Sequence, residues 1–389
     1  MKEPEQLGPY RIVEQINAGG AGVTYLAISI ASTRESALLV CLKTPHPMFA
    51  NDPAYLEAFE TEAHFASQLH HPHIVTLQDR GADARGRRYL VYPFVEGLDL
   101  GELIAGVRDA GQQLGWMIVA MVAAQVARAL EYAHQDHRGS GRLQERPAVI
   151  HRDLCPPNIL IGVSGVIYLT DFGIACALEK ASLQPSLEGK GRIAYSAPER
   201  LMPGREYDAR ADLFSLGVVL FEALTNHAPF FADSVPAYVE RVLHGPRPRV
   251  ETLRAEFQPG FGGSPPEALV QLVEIVHRLL ERDPADRYPS AAELVDALAE
   301  IAIPGDAHRE LATEAERHMP EWRRKIRLHT SEMPAVGPEP SGSWSSTDLR
   351  HLESHARRYD AERDGVRVSP ADAQRLLDAF SAQAGDGLP

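Results

Sequence analysis

Between residues 10 and 92 apolar and polar positions mostly alternate, the two-residue period of strands with one buried face. "YRIVEQI", "GVTYLAIS" and "ALLVCLKT" each predict a strand, and "IVTLQDRG" and "RRYLVYPFV" predict two more. Between them, "DPAYLEAFETEAHFASQL" switches to helical spacing, with Leu56, Phe59, Ala63 and Ala66 along one face. After Val95 the pattern is mostly helical. "WMIVAMVAAQVARALEYAH" is apolar on nearly all sides, which predicts a buried helix, and "ARADLFSLGVVLFEALT" is similar. "PEALVQLVEIVHRLLERD" and "SAAELVDALAEIA" complete a helical region, and no internal repeat is present.

The character changes beyond Ile303. "HRELATEAERHMPEWRRKIRLH" predicts a polar helix, "SEMPAVGPEPSGSWSS" a Pro/Gly/Ser linker, and "STDLRHLESHARRYDAERDG" and "SPADAQRLLDAF" short helices. The predicted class is α+β. A β-rich lobe over about 10–92 and a helical lobe over about 96–303 make one unit, 10–303. A helical extension (304–330), a flexible linker (331–346) and a short helical tail (347–389) follow.

Of the 389 residues 44% are apolar, enough for a packed core. A formal charge of -14 argues against a general nucleic-acid or anionic-membrane binder. Cys41, Cys155 and Cys176 lack C-x-x-C spacing, which argues against a disulfide framework or zinc site and for a reducing compartment. No apolar run is expected to reach a membrane span, and the start has no signal-peptide core, so a cytosolic protein is expected. In the tail, "DAERDGVRVSPAD" approaches the spacing of a calcium loop. It is one residue too long after Gly365 and has Ala371 at the usual Glu position, which favours a plain helical turn.

Five short stretches carry candidate chemistry. In "INAGGAGVTYLA", Gly19, Gly20 and Gly22 lie between two strands, where glycine lets backbone N–H groups approach phosphates. By itself such a run is equally a hairpin turn. Lys43 ends "VCLK" on the next strand and Glu62 lies on the predicted helix; singly, each is an ordinary solvated charge. In "HRDLCPPN", Asp153 can accept or orient a hydroxyl proton, and Asn158, with Asp171 of "DFG", offers hard oxygen ligands suited to Mg2+. "APE" follows. Their order and strand or helix context set these stretches apart from ordinary turns and caps.

With "HPHIV", "DLFSLGVVLFEALTNHAPF" and "RDPADRYPSAAEL" added, residues 10–303 resemble the protein kinase superfamily, specifically the eukaryotic-like serine/threonine kinases of bacteria. The resemblance implies the bilobal protein-kinase fold, and ATP- and Mg2+-dependent phosphorylation of protein serine or threonine hydroxyls, the chain's own included. It implies that Lys43 holds the α- and β-phosphates and pairs with Glu62, that Asp153 is the catalytic base, and that Asn158 and Asp171 hold the metal. "VYPFVEG" would be the hinge, with Tyr92 as gatekeeper, the Pro93 carbonyl and the Val95 N–H facing adenine. Thr24 and Cys41 would lie above the base, Ile16 and Leu160 would complete the nucleotide site, and Glu199 would pair with Arg287. Protein substrates are the implied partners, with a further protein partner of the tail.

Five positions depart from the pattern, among them Thr24 and Cys41, which replace the usual Val and Ala above adenine. Asn17 replaces the first glycine of the phosphate loop. Cys155 stands where the catalytic loop usually has a lysine, and Arg192 of "GKGRIAYSAPE" where a threonine usually bridges that lysine and the aspartate. A bacterial branch with a small catalytic-loop residue and a G-K-x-x-Y activation segment is similar, and implies that Arg192 supplies the displaced cation. The alternative is a pseudokinase, a nucleotide-binding scaffold that signals through contacts.

Overall fold

Alternation in the first ninety residues becomes an antiparallel sheet whose two faces have different tasks. The structure, a computed structural model, describes residues 6–19, 22–29, 37–50, 52–136, 147–172, 193–202, 204–258, 264–303, 305–330 and 367–368. The strands β1 (Gln6–Leu7), β2 (Tyr10–Gly19), β3 (Gly22–Ser29), β4 (Ala37–Thr44), β5 (Asp79–Ala82) and β6 (Arg88–Pro93) run in the order β1-β2-β3-β4-β6-β5. Register sorts the side chains. Thr24, Leu26 and Ile28 stand opposite Lys43, Cys41 and Leu39, so all six share one face. Val40 and Leu42 point the other way and pack with Leu7, Tyr10, Ala27, Tyr89 and Val91.

Helix α1 (Pro53–Ala66) covers one end of the first face. Asp52 caps it, accepting from the N–H groups of Ala54 and Tyr55, and Pro53 occupies the first turn. Phe59, Ala63 and Ala66 pack against Leu90 and Tyr92. Leu56, expected on the same face, is only half-buried; Tyr55 takes its place, and Glu62 joins the buried side.

The helical lobe is built on α2 (Leu100–Asp109), α3 (Trp116–His134), α4 (Arg210–Thr225), α5 (Val235–His244), α6 (Glu267–Leu279) and α7 (Ala291–Ala299), which share one apolar core. By length and composition α3 is apolar enough to cross a membrane, contrary to the sequence expectation, but 72% of that stretch is buried inside the lobe. A three-stranded sheet, β7 (Gly97–Asp99), β8 (Ile159–Gly162) and β9 (Ile167–Leu169), lies on the lobe. Gly97 admits no side chain, because a Cβ would lie 1.9 Å from the Ile161 carbonyl oxygen. Glu199 and Arg287 form a bidentate buried pair, Nη1–Oε1 2.7 Å and Nη2–Oε2 2.9 Å, with the guanidinium over Phe214.

The polar helix predicted after residue 303 is two helices, α8 (Ala307–His318) and α9 (Glu321–Thr330), parted at Pro320, whose ring cannot continue the first. Ala307, Leu311 and Ala315 join the core of the helical lobe, whereas Ile326 is buried with Leu26, Ile28, Leu39 and Phe94 of the sheet lobe. Arg367 and Val368 form β10, paired antiparallel with Leu38 and Ala37 of β4, where a helical turn was expected. The rest of the tail and the linker lie outside the described residues.

Lobe junction and buried histidine meet at His73. The Leu169 N–H donates to the His73 carbonyl at 2.8 Å and the Val75 N–H to the Leu169 carbonyl at 2.8 Å. The His73 ring lies 2.9 Å from the Ile167 carbonyl, and burial lowers its pKa from 6.5 to about 4. A lowered folded-state pKa stabilises the fold above the unfolded value; that contribution is lost as pH falls through 6.5 toward 4. At about 1.4 kcal/mol per pH unit, the loss is roughly 3 kcal/mol. Denaturant titrations across that range should show wild type losing roughly 3 kcal/mol more than His73→Gln. Parallel stability curves for the two proteins would assign the acid sensitivity elsewhere.

Candidate active site

The cleft between the lobes gathers the charged residues that the motifs single out. Its roof begins with the β2–β3 turn, where Gly19 pairs with Gly22. Gly22 has φ 131°, and a Cβ there would lie 2.2 Å from the Thr44 carbonyl oxygen, so glycine is required. Gly20 lies outside the described residues. Thr24 stands beside Lys43 across the β3–β4 ladder.

Lys43 is 4% exposed, and its Nζ donates to Glu62 Oε1 at 2.8 Å and Asp171 Oδ1 at 2.6 Å. Burial works against its charge, but the Asp171 and Glu62 carboxylates outweigh that effect and raise its pKa above the ordinary value. The ammonium therefore stays charged in a water-poor site and links β4, α1 and the segment after β9.

The floor is set by the loop 151–158. Asn158 donates its Nδ2 to the Asp153 carbonyl at 2.7 Å and to Asp153 Oδ2 at 3.1 Å, which fixes the carboxylate. Asp171 adopts φ 64° and Arg152 φ 68°, uncommon for residues with a Cβ. The loop is anchored from below by Asp212 of α4. Its Oδ2 accepts from the His151 N–H at 2.7 Å and lies 2.8 Å from His134 Nε2; its Oδ1 accepts from the Arg152 N–H at 2.8 Å. The His151 ring contacts Phe172, centroids 4.4 Å apart. Its Nδ1 accepts from the Asp153 N–H at 3.3 Å, so Nε2 carries the proton it shares with the Thr170 carbonyl at 3.0 Å. Burial lowers the His151 pKa, in keeping with that neutral ring.

The segment that the resemblance implies as a hinge follows β6. Tyr92 is buried, Pro93 ends the strand opposite Val40, and Cys41, Val95 and Leu160 all pack against the cluster of Phe59, Val75, Leu90 and Tyr92. Ile16 packs farther out, beside Leu26 and Phe94. The donor set at the floor fits a hard cation completed by phosphate and water oxygens. Asn158 commits its amide N–H to Asp153, leaving its carbonyl oxygen, and Asp171 adds a carboxylate. Among the described residues no cluster of three or more His, Cys, Asp or Glu is placed to hold a metal unaided.

Cys155 is buried, 4% exposed, so the usual lysine position contributes no cation. Arg192 lies outside the described residues. Sequence reasoning passed over Asp212 and His134. The available signal was Asp212, an acid set among the apolar residues of "DLFSLGVVLF".

Residues 10–297 match the family model of the protein kinase domain. Over 294 residues the chain is 32% identical to the tyrosine-protein kinase MasK of Myxococcus xanthus, covering 75% of this chain and 42% of that one. Over 333 residues it is 33% identical to the serine/threonine-protein kinase PknH of Mycobacterium tuberculosis, covering 86% and 46%. The chain thus spans about half the length of the curated relatives it matches. The crystal structure of the Mycobacterium tuberculosis PknI kinase domain superposes with a TM-score of 0.54 at 27% identity, over 78% of this chain and 99% of that one.

Asp212→Ala should cost about 3 kcal/mol or more, because the buried His151 N–H and the part-buried Arg152 N–H lose their acceptor. Urea unfolding at neutral pH measures it. A cost under about 1 kcal/mol would mean that the loop is held by other contacts.

Proposed function

The chain belongs to the protein kinase family, and we propose that it transfers the γ-phosphoryl group of ATP to serine or threonine hydroxyls of proteins, itself included, in bacterial signalling. The observation that carries this is Lys43, buried and held at 2.8 Å from Glu62 and 2.6 Å from Asp171. A cation kept charged and aimed into a cleft beneath a glycine turn suits nucleotide phosphates. Serine and threonine are favoured because that is the activity named for most of the relatives, PknH and PknD among them. MasK is named a tyrosine kinase, so phosphoamino-acid analysis of the product is the direct check.

In this proposal the backbone around Gly19, Gly20 and Gly22 covers the phosphates, and Lys43 holds the α- and β-groups. Adenine lies between Ile16, Thr24 and Cys41 above and Leu160 below, facing the Pro93 carbonyl and the Val95 N–H. Asp153, steered by Asn158, takes the hydroxyl proton as the hydroxyl oxygen attacks phosphorus and ADP leaves. Mg2+ held by Asn158 and Asp171 would offset charge on the phosphate oxygens. Arg192 would add the cation that Cys155 does not supply, since transfer needs positive charge near the equatorial oxygens from whichever segment provides it. The pseudokinase alternative is weakened by the presence of Lys43, Glu62, Asp153, Asn158 and Asp171 together. We place the activity in the cytosol, on the scattered cysteines.

Incubation with labelled ATP and Mg2+ should label the wild type and a protein substrate, and Asp153→Asn should reduce labelling by at least about 10²-fold. ATP with Mg2+ should raise the melting temperature, with most of the metal-dependent part lost in Asp171→Ala. A wild type that neither labels nor shifts at millimolar nucleotide would remove both readings.

Arg192→Ala should lower turnover by about 10²–10³ while leaving ATP affinity nearly intact, because the contact strengthens as charge develops in the transition state. The pair Cys155→Lys with Arg192→Thr should recover much of the loss. Steady-state kinetics decides: near-normal turnover in Arg192→Ala refutes a relocated cation.

A further inference from the structure

The sheet face that forms the roof of the cleft is covered at both ends. At one end α1 packs on Leu90 and Tyr92. At the other, where a nucleotide base would enter past the hinge, α9 packs instead. Ile326 is 1% exposed among Leu26, Ile28, Leu39 and the hinge residue Phe94. Trp322, one turn earlier on the same side of α9, packs on that cluster together with Ile16 and Cys41.

Arg323 extends the contact from roof to floor. Its Nε lies 3.3 Å from Glu102 Oε2, its guanidinium lies over Trp322, and its side chain is 10% exposed. Glu102 belongs to the first turn of α2, which Asp99 caps, and Asp99 stands opposite Leu160 in the β7–β8 ladder. Burial raises the Cys41 thiol to about 12 and, with the Glu102 charge, the Asp99 carboxyl to about 7. The Arg323 guanidinium is near enough to both to lower each. Arg323 therefore reaches Glu102 of the floor from a helix packed on the roof.

We propose that α9 is an intramolecular plug, which fills the hinge-side end of the nucleotide cleft and must leave before ATP binds. The proposal rests on the nucleotide site described above and adds its regulation. Three features suit a removable plug rather than a permanent wall. Among its described side chains the apolar hold is narrow, Ile326 and Trp322 within the charged run "EWRRKIRLH". At ten residues it is too short to persist as a helix once detached. The chain is tethered on both sides: α8 is fixed in the helical lobe by Leu311 and Ala315, and β10 pairs with Ala37 and Leu38, next to Leu39 under Ile326. Release of α9 therefore leaves the segment close enough to return.

The test is calorimetric titration of the full chain with ATP and Mg2+, comparing wild type, Ile326→Asp and Arg323→Glu. A cleft that is plugged about nine times in ten binds with an apparent Kd about tenfold weaker than the open one, so each variant should bind about tenfold more tightly. Hydrogen exchange on the wild type, which needs no variant, should show amides 321–330 exchanging faster when nucleotide is saturating. Equal or weaker binding in both variants, or protection of 321–330 by nucleotide, overturns the plug and makes α9 a wall of the pocket. Equal binding by all three leaves the nucleotide site standing. Absence of binding in all three overturns the site and the plug together.

Discussion

Everything the floor of the cleft does depends on one carboxylate buried where a charge is expensive. Asp212 is 1% exposed, and desolvation alone would push its pKa up. The hydrogen bond of His134 and the Arg152 N–H reverse that and hold it below the usual carboxylate range. A buried charge with this many donors is stable only while the donors stay in place, so the same interaction that tolerates the charge fixes the backbone of 151 and 152. Asp153 and its partner Asn158 inherit that position. Arg152 can then hold its uncommon φ of 68°, since the two neighbouring N–H groups define the turn.

Two of the ties between the roof and this floor differ in character. Backbone hydrogen bonds join His73 and Val75 to Leu169, a tie that few side-chain changes can alter. The second tie is electrostatic, from Lys43 to Glu62 and Asp171. The Asp171 side chain is 25% exposed whereas that of Lys43 is 5% exposed, so the carboxylate is the partner that solvent or a bound cation can reach. The first tie sets the lobe spacing, and the second can respond to what enters the cleft.

How much of this was legible in the chain differs by element. "GVTYLAIS", "ALLVCLKT" and "WMIVAMVAAQVARALEYAH" fold over the ranges their patterns predict, because each buries one face or all faces locally. Lys43, Glu62, Asp153, Asn158 and Asp171 were nameable from motif order, although nothing in their spacing reports that 128 residues separate the partners of the Lys43–Asp171 contact. "IVTLQDRG" misled. Ile74 bridges Leu169 and Val75 donates to it, so regular pairing starts only at Asp79. Asp212 was hidden because an acid in an apolar helix gains its meaning only from backbone groups sixty residues away.

The extension was the least legible part, and for a physical reason. A helix that offers Trp322 and Ile326 one turn apart within a charged run shows an apolar stripe too short to say what it covers, so "EWRRKIRLH" reads as solvated. Its position is decided by the partner surface: the Leu26, Ile28 and Leu39 face needs a cover, and the register of β3 and β4 leaves that face beyond the reach of α1. Ile326 supplies the cover because α8, locked into the helical lobe through Leu311, delivers the chain to the hinge, and Pro320 redirects it there. A chain ending at α7 would expose that apolar face beside Phe94. The architecture of the sheet therefore calls for an occupant at the mouth of the cleft, and in this chain the occupant is its own following segment.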